Sequence, residues 1–91
     1  MPPKWRSYNH SVCYGVGEGM DQRYFLDDKS DLPSCQAKCL RLGCKCLDWT
    51  ADKKGRGSEC RLNNESARTK ALPDSKVTWV AYIPPQRRDI I

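Results

Sequence analysis

Six cysteines are the residues of this 91-residue chain with the most chemistry open to them. Thiolates ligate metals, attack electrophiles, exchange electrons or pair as disulfides, and their spacing separates these uses. Five lie in one run, Cys35-x3-Cys39-x4-Cys44-x-Cys46-x13-Cys60, and Cys13 stands 22 residues upstream of it. Zinc modules show paired C-x2-C or C-x2-C/H-x3-H knuckles. Here the gaps differ, and the one histidine, His10, is far from the run. Dithiol redox chemistry needs a C-x-x-C motif, which the sequence lacks. An even count at this density in a short chain reads instead as a framework of three disulfides, with no metal and no cofactor.

Oxidised thiols leave no cysteine nucleophile, and a lone histidine in a polar stretch has no visible triad partner. Asp27, Asp28 and Asp31 stand where a helix begins, so capping and the helix dipole explain them without acid–base work. The chain is expected not to be an enzyme. Binding chemistry is better represented. Lys53, Lys54 and Arg56 crown a predicted turn, Lys38 and Arg41 project from a predicted helix, and Lys45 follows it. Converging, they would hold a sulfated glycan or another polyanion by charge-assisted hydrogen bonds; dispersed, they are a solvated turn tip and helix face. The net charge of +5 admits acidic partners, while 30% charged residues of both signs also describe an ordinary soluble surface. Nucleic acid is not expected, because no aromatic residue interleaves with the basic cluster as a stacking platform.

A second candidate surface is the glycine-bearing stretch from Tyr14 to Met20, with Arg23 and Tyr24 nearby. These side chains suit an interface, and equally the core of a short strand. The spacing Gly15-x-Gly17-x-Gly19 is no nucleotide fingerprint. Asn9-His10-Ser11 and Asn64-Glu65-Ser66 are acceptor tripeptides for N-glycosylation.

The elements that must position these residues follow from periodicity. Leu32, Cys35, Cys39 and Leu42 recur at helical spacing and predict one buried face, with Gln36, Lys38 and Arg41 opposite. Ser30 or Asp31 caps this helix, Pro33 fits its first turn, and Gly43 ends it. Cys44 to Ala51 alternates as a strand, with Cys44, Cys46 and Asp48 on one side and Lys45, Leu47 and Trp49 on the other. Asp52–Gly57 is a turn, and Ser58–Asn63 returns through Cys60 and Leu62 to complete a hairpin. Arg23–Leu26 reads as a short strand, Asn63–Asp74 as a loop, and Lys76–Ile83 as the clearest strand. Residues 1–12 read as a polar N-terminal extension with Trp5 and Tyr8 as packing residues, 13–83 as the domain, and 84–91 as a linker or tail. A mean hydropathy of -0.77 implies a modest core, so bridges of roughly 2–4 kcal/mol each carry much of the stability.

Six cysteines allow fifteen pairings, and spacing alone does not choose among them. Cys35 and Cys39 point the same way one helical turn apart, so each should bridge to a different element. Cys44 and Cys46 share a strand face and are poor partners for each other.

The run Cys35-x3-Cys39-x4-Cys44-x-Cys46-Leu-Asp-Trp49, followed by Cys60-Arg-Leu62, resembles the PAN/apple domain. In that family a helix carries C-x3-C and a later strand carries C-x-[LF]. The Cys44-x-Cys46 doublet is most similar to the PAN modules of plant lectin-type receptor kinases. The resemblance spans residues 13 to about 83 and rests on cysteine spacing. It implies the bridges Cys35–Cys60 and Cys39–Cys44, and then Cys13–Cys46. The third departs from the family, whose first-to-last bridge has no counterpart because no cysteine follows Cys60. It also implies an α+β, disulfide-rich fold, one central helix packed on a curved antiparallel sheet of about five strands, with Trp49 as a core aromatic. The function implied is an extracellular, non-catalytic module for protein–protein or protein–carbohydrate recognition within a larger secreted or cell-surface protein. No ligand-reading motif carries over. The alternative is a free-standing cationic secreted effector, a toxin or inhibitor that binds anionic glycan or an acidic protein. No stretch approaches the ~20 apolar residues of a membrane span. The opening residues lack the apolar run of a signal peptide, so a fragment of a longer secreted chain is expected.

Overall fold

The computed structural model describes residues 4–14, 23–26, 30–64 and 67–85. Its one helix, α1 (Leu32–Leu42), has the predicted signals at both ends. Asp31 is the N-cap, its carboxylate accepting the Ser34 N–H at 2.9 Å, and Pro33 occupies the first turn, where no amide proton is needed. Gly43 ends the helix in the left-handed region at φ 71°. The Gly43 N–H bonds to the Leu40 carbonyl and the Cys44 N–H to the Cys39 carbonyl, the paired bonds of a Schellman motif. That motif brings the residue two past the cap back onto the last turn. Here those two positions are Cys44 and Cys39, and they are joined as a disulfide with a Cα–Cα distance of 4.8 Å.

Five strands form an antiparallel sheet: β1 (Arg6–Asn9), β3 (Arg23–Leu26), β4 (Cys46–Thr50), β5 (Glu59–Asn63) and β7 (Val80–Ile83), in the order β1-β7-β4-β5-β3. A two-stranded ribbon, β2 (Ser11–Tyr14) with β6 (Arg68–Ala71), pairs Cys13 with Thr69. α1 packs on one face of the sheet over β4 and β5, and β2 packs on the other over β4 and β7. Directly paired residues of antiparallel strands share a face. The helix side therefore holds Leu47 with Leu62 and Trp49 with Cys60, and the ribbon side holds Cys46, Asp48, Arg61 and Ala81. The alternation read along β4 is correct, and both sides are buried: Cys46, Leu47 and Asp48 are each fully inaccessible.

Each layer is stitched to the next. Cys35–Cys60 joins α1 to β5, Cys13–Cys46 joins the ribbon to β4, and Cys39–Cys44 closes the end of the helix. These are the three pairs that the family resemblance implies. No free cysteine is present among the described residues.

Several sequence expectations are corrected. Residues 4–12 are part of the fold: β1 pairs with β7, and Trp5 packs against the helix-side core. They read as an extension because every side chain of β1 is exposed on an edge strand, so no apolar alternation marks it. β6 lies inside the expected loop for the same reason, being held by backbone pairing to β2 rather than by burial. The last strand begins only at Val80; Val77 and Trp79 precede it and cluster with Val12 of the ribbon. Leu42 is 51% exposed instead of facing the core, because the Schellman turn delivers Cys44 to that side of the helix end. Gly15 to Met20, Asp27 and Asp28, and the tail from 86 onward lie outside the described residues.

Candidate ligand-binding surface

The β4–β5 hairpin closes through Lys53–Arg56, where the Arg56 N–H donates to the Lys53 carbonyl at 2.9 Å. Lys54 (φ 51°) and Gly55 (φ 80°) both have positive φ, as a type I′ turn requires. The Gly57 N–H donates to Asp52 Oδ1 and the Lys53 N–H to the Gly57 carbonyl, which fixes the base of the loop. The basic tip is thus held in one backbone shape. Its three cations are not equivalent. Lys53 Nζ lies 3.0 Å from Glu59 Oε1, so its charge is partly answered within the hairpin. Lys54 and Arg56 are exposed.

Of the other three basic candidates, two lie elsewhere. Trp49 Nε1 donates to the Ser30 carbonyl at 2.9 Å, which places the start of α1 near the Thr50 end of β4. The helix then runs against β4 and reaches its first residues through Cys44 and Lys45. Arg41 and Lys45, both exposed, consequently stand at the Cys46 end, and Lys53, Lys54 and Arg56 lie beyond Thr50. The five residues of β4 separate the two groups by roughly 17 Å at about 3.3 Å per residue. Lys38 is half-buried, and its Nζ donates to Ser30 Oγ at 2.9 Å. The six cations therefore do not converge into one patch.

At the tip a groove of ≈ 430 Å³ opens beside the turn, lined by Trp49, Thr50, Asp52, Lys76, Thr78 and Val80. Trp49 and Val80 are directly paired across β4 and β7 and form its half-buried apolar part. Lys76 adds an exposed cation that sequence reasoning missed, because its stretch read as the opening of a strand. Trp49 itself serves the core, packing with the helix-side cluster as expected of it, and also presents part of its surface to the groove.

On the ribbon side the charges are inward-facing. Asp48 Oδ1 lies 2.6 Å from Arg61 Nε, and Asp48 Oδ2 accepts the Cys13 N–H at 2.9 Å. The Arg61 guanidinium sits 3.8 Å from the centre of the Trp79 ring. This cluster ties β4, β5, the ribbon and the segment before β7 together. Hydrogen bonds from Ser34 to the exposed Asp31 cap hold its carboxyl below the ordinary value of 3.8, and burial pushes the Tyr82 phenol up.

Asn9 is exposed at the end of β1, with Ser11 Oγ donating to its carbonyl at 3.0 Å, whereas Asn64 is half-buried at the end of β5. Arg23 and Tyr24 lie on β3. Tyr14 ends β2, with Lys70 Nζ 5.5 Å from its ring centre. Among the described residues no group of three or more His, Cys, Asp or Glu is placed to hold a metal ion, and no helix is long and apolar enough to cross a membrane. No family model matches the chain, and comparison with curated proteins and with solved structures finds no match either.

Proposed function

We propose that this chain is a secreted or ectodomain recognition module of the PAN/apple kind, which binds an acidic or sulfated ligand and performs no chemistry of its own. The observation that carries this reading is the arrangement at the hairpin tip. Lys54 and Arg56 are exposed on a turn closed by the Arg56–Lys53 backbone hydrogen bond, next to a groove that Lys76 lines. A rigid scaffold bearing variable loops at one end is a common design for binding proteins. Three buried disulfides support an oxidising compartment, since such bridges persist outside the cytosol. The helix-borne Cys35-x3-Cys39, bridged to β5 and to the helix end, supports the family assignment.

The ligand class remains a polyanion, either a sulfated glycan or an acidic protein segment, because guanidinium and ammonium groups recognise both by the same contacts. A glycan array containing heparin-type fragments, probed at physiological salt, separates them. Salt-sensitive binding that is lost in the double variant Lys54→Glu, Arg56→Glu is the expected result. Binding that survives the charge reversal would remove the tip from consideration. Silence across the array, with capture of an acidic peptide by the same cations, would assign the tip to a protein partner.

A further inference from the structure

α1 makes its main sheet contacts with two strands. It lies over β4 and β5, and on that side β7 and β1 continue beyond it. The register there sets four residues in one row across four strands: Asn9, Val80, Trp49 and Cys60. Cys60 sits beneath the helix through its bridge to Cys35, so the row emerges from cover at Trp49 and ends in the open at Asn9. Neighbouring strands stand about 5 Å apart, so Asn9 is one strand from Val80 and two from Trp49. Val80 and Trp49 are the apolar part of the tip groove.

Asn9 is also the first residue of an Asn-His-Ser acceptor tripeptide. It is exposed, and at His10 (φ 52°) the chain turns away from the sheet edge into β2. We infer that Asn9 carries an N-linked glycan whose first sugars lie along the Val80–Trp49 row and fill the groove. The inference rests on the secreted reading. The bond forms between Asn9 Nδ2 and the anomeric carbon of the first N-acetylhexosamine. That carbon's bond to a lipid pyrophosphate donor breaks, the pyrophosphate leaves with the bonding pair, and the amide nitrogen loses a proton.

The chemistry of the row suits that occupant. A pyranose ring carries an apolar face of C–H groups, which meets the indole and valine surface, and a rim of hydroxyls and acetamide, which meets Thr78, Asp52 and Lys76. The glycan covers the strip of sheet from Asn9 to Trp49. It leaves Lys54 and Arg56, on the turn beyond the groove, as the cations open to a ligand.

The test expresses the chain behind a secretion leader in a eukaryotic cell and maps its peptides by mass. A glycopeptide at Asn9 is expected; folded, secreted protein with Asn9 unmodified would overturn the assignment. The seat of the sugar is read by acrylamide quenching of tryptophan fluorescence before and after native removal of the glycan with a peptide N-glycosidase. Removal should raise the quenching. Asn9→Gln, a change at an exposed side chain, should quench like the stripped protein, and Trp49→Phe should abolish the difference. Equal quenching with and without the glycan would refute its placement in the groove. Because array binding is scored separately on Asn9→Gln protein, failure of the tip as a polyanion site leaves this outcome distinct.

Discussion

The buried pair Asp48–Arg61 makes the fold sensitive to a single substitution. Asp48 is fully inaccessible and Arg61 is 9% exposed, so removing either partner strands a charge in a desolvated interior. Breaking one side of such a pair costs about 3–5 kcal/mol, which approaches the whole net stability of about 5–15 kcal/mol expected of a small domain. Arg61→Met keeps much of the volume over Trp79 while discarding the charge, and it leaves the Asp48 carboxylate without its 2.6 Å ion pair. Asp48→Ala leaves Arg61 uncompensated and also removes the acceptor of the Cys13 N–H. Each should lower stability by about 3–5 kcal/mol. The double variant Asp48→Asn, Arg61→Met removes both charges and keeps an acceptor for Cys13. It should cost less than either single change, because a neutral pair carries no stranded charge.

The assay is guanidinium unfolding of the oxidised protein, with Asp48→Asn added so that it, Arg61→Met and their double variant close a double-mutant cycle. The reasoning fails if Arg61→Met costs under about 1 kcal/mol, or if the single effects add in the double variant. The pair also bears on specificity of pairing. A one-residue slip of β4 would move Asp48 to the helix side and Leu47 to the ribbon side, where neither has its partner.

Loop closure ranks the disulfides. For sequence separations of 25 and 33, replacing Cys35–Cys60 or Cys13–Cys46 by paired serines should cost about 3.5 kcal/mol each, and Cys39–Cys44, with a separation of 5, about 2 kcal/mol; denaturant midpoints under non-reducing conditions check the order. Gly43→Ala meets no atom within 4 Å, so its cost is the left-handed backbone alone, about 1–2 kcal/mol, and oxidative refolding should show slower closure of Cys39–Cys44. Asp31→Ala should lower the melting temperature at neutral pH. Because the folded carboxyl titrates below its ordinary 3.8, the cap contributes above that value and is lost as pH falls through the folded one, so the wild type and variant melting curves should converge in acid; a constant gap would contradict this.

The parts of this architecture written in short-range chemistry were legible in the sequence. Asp31, Pro33 and Gly43 each announce a helix end through their own backbone preferences, whereas the Cys39–Cys44 pairing across that end was implied only by the family resemblance. β1 and β6 were not legible. Their stabilisation is backbone pairing beside exposed polar side chains, which leaves no hydrophobic period to read. β4 showed its two faces by alternation, yet nothing local revealed that a ribbon from residues 11–14 and 68–71 would cover the second. The candidate site divided in the same way. The turn carrying Lys53, Lys54 and Arg56 is local and was found, whereas Lys76 reaches the groove only through the path of the chain into β7.

The separation of the basic groups makes ligand length a discriminating variable. With α1 on one face of the sheet and the ribbon on the other, little of the central strands remains open, and the exposed cations of the two groups stand at the two ends of β4. A short anion can engage Lys54 and Arg56 or Arg41 and Lys45, but it cannot bridge the roughly 17 Å between them. Charge reversal at Arg41 and Lys45 should therefore leave the affinity of a sulfated disaccharide unchanged. An extended heparin-type chain that lies along the sheet would feel both ends, and for it the same reversal should weaken binding and reduce the slope of log affinity against log salt. Exposed Leu40 and Leu42 flank Arg41 at that far end, which would give an extended ligand apolar contact as well as charge. If disaccharide and long chain respond identically to the reversal, the two ends do not act on one ligand.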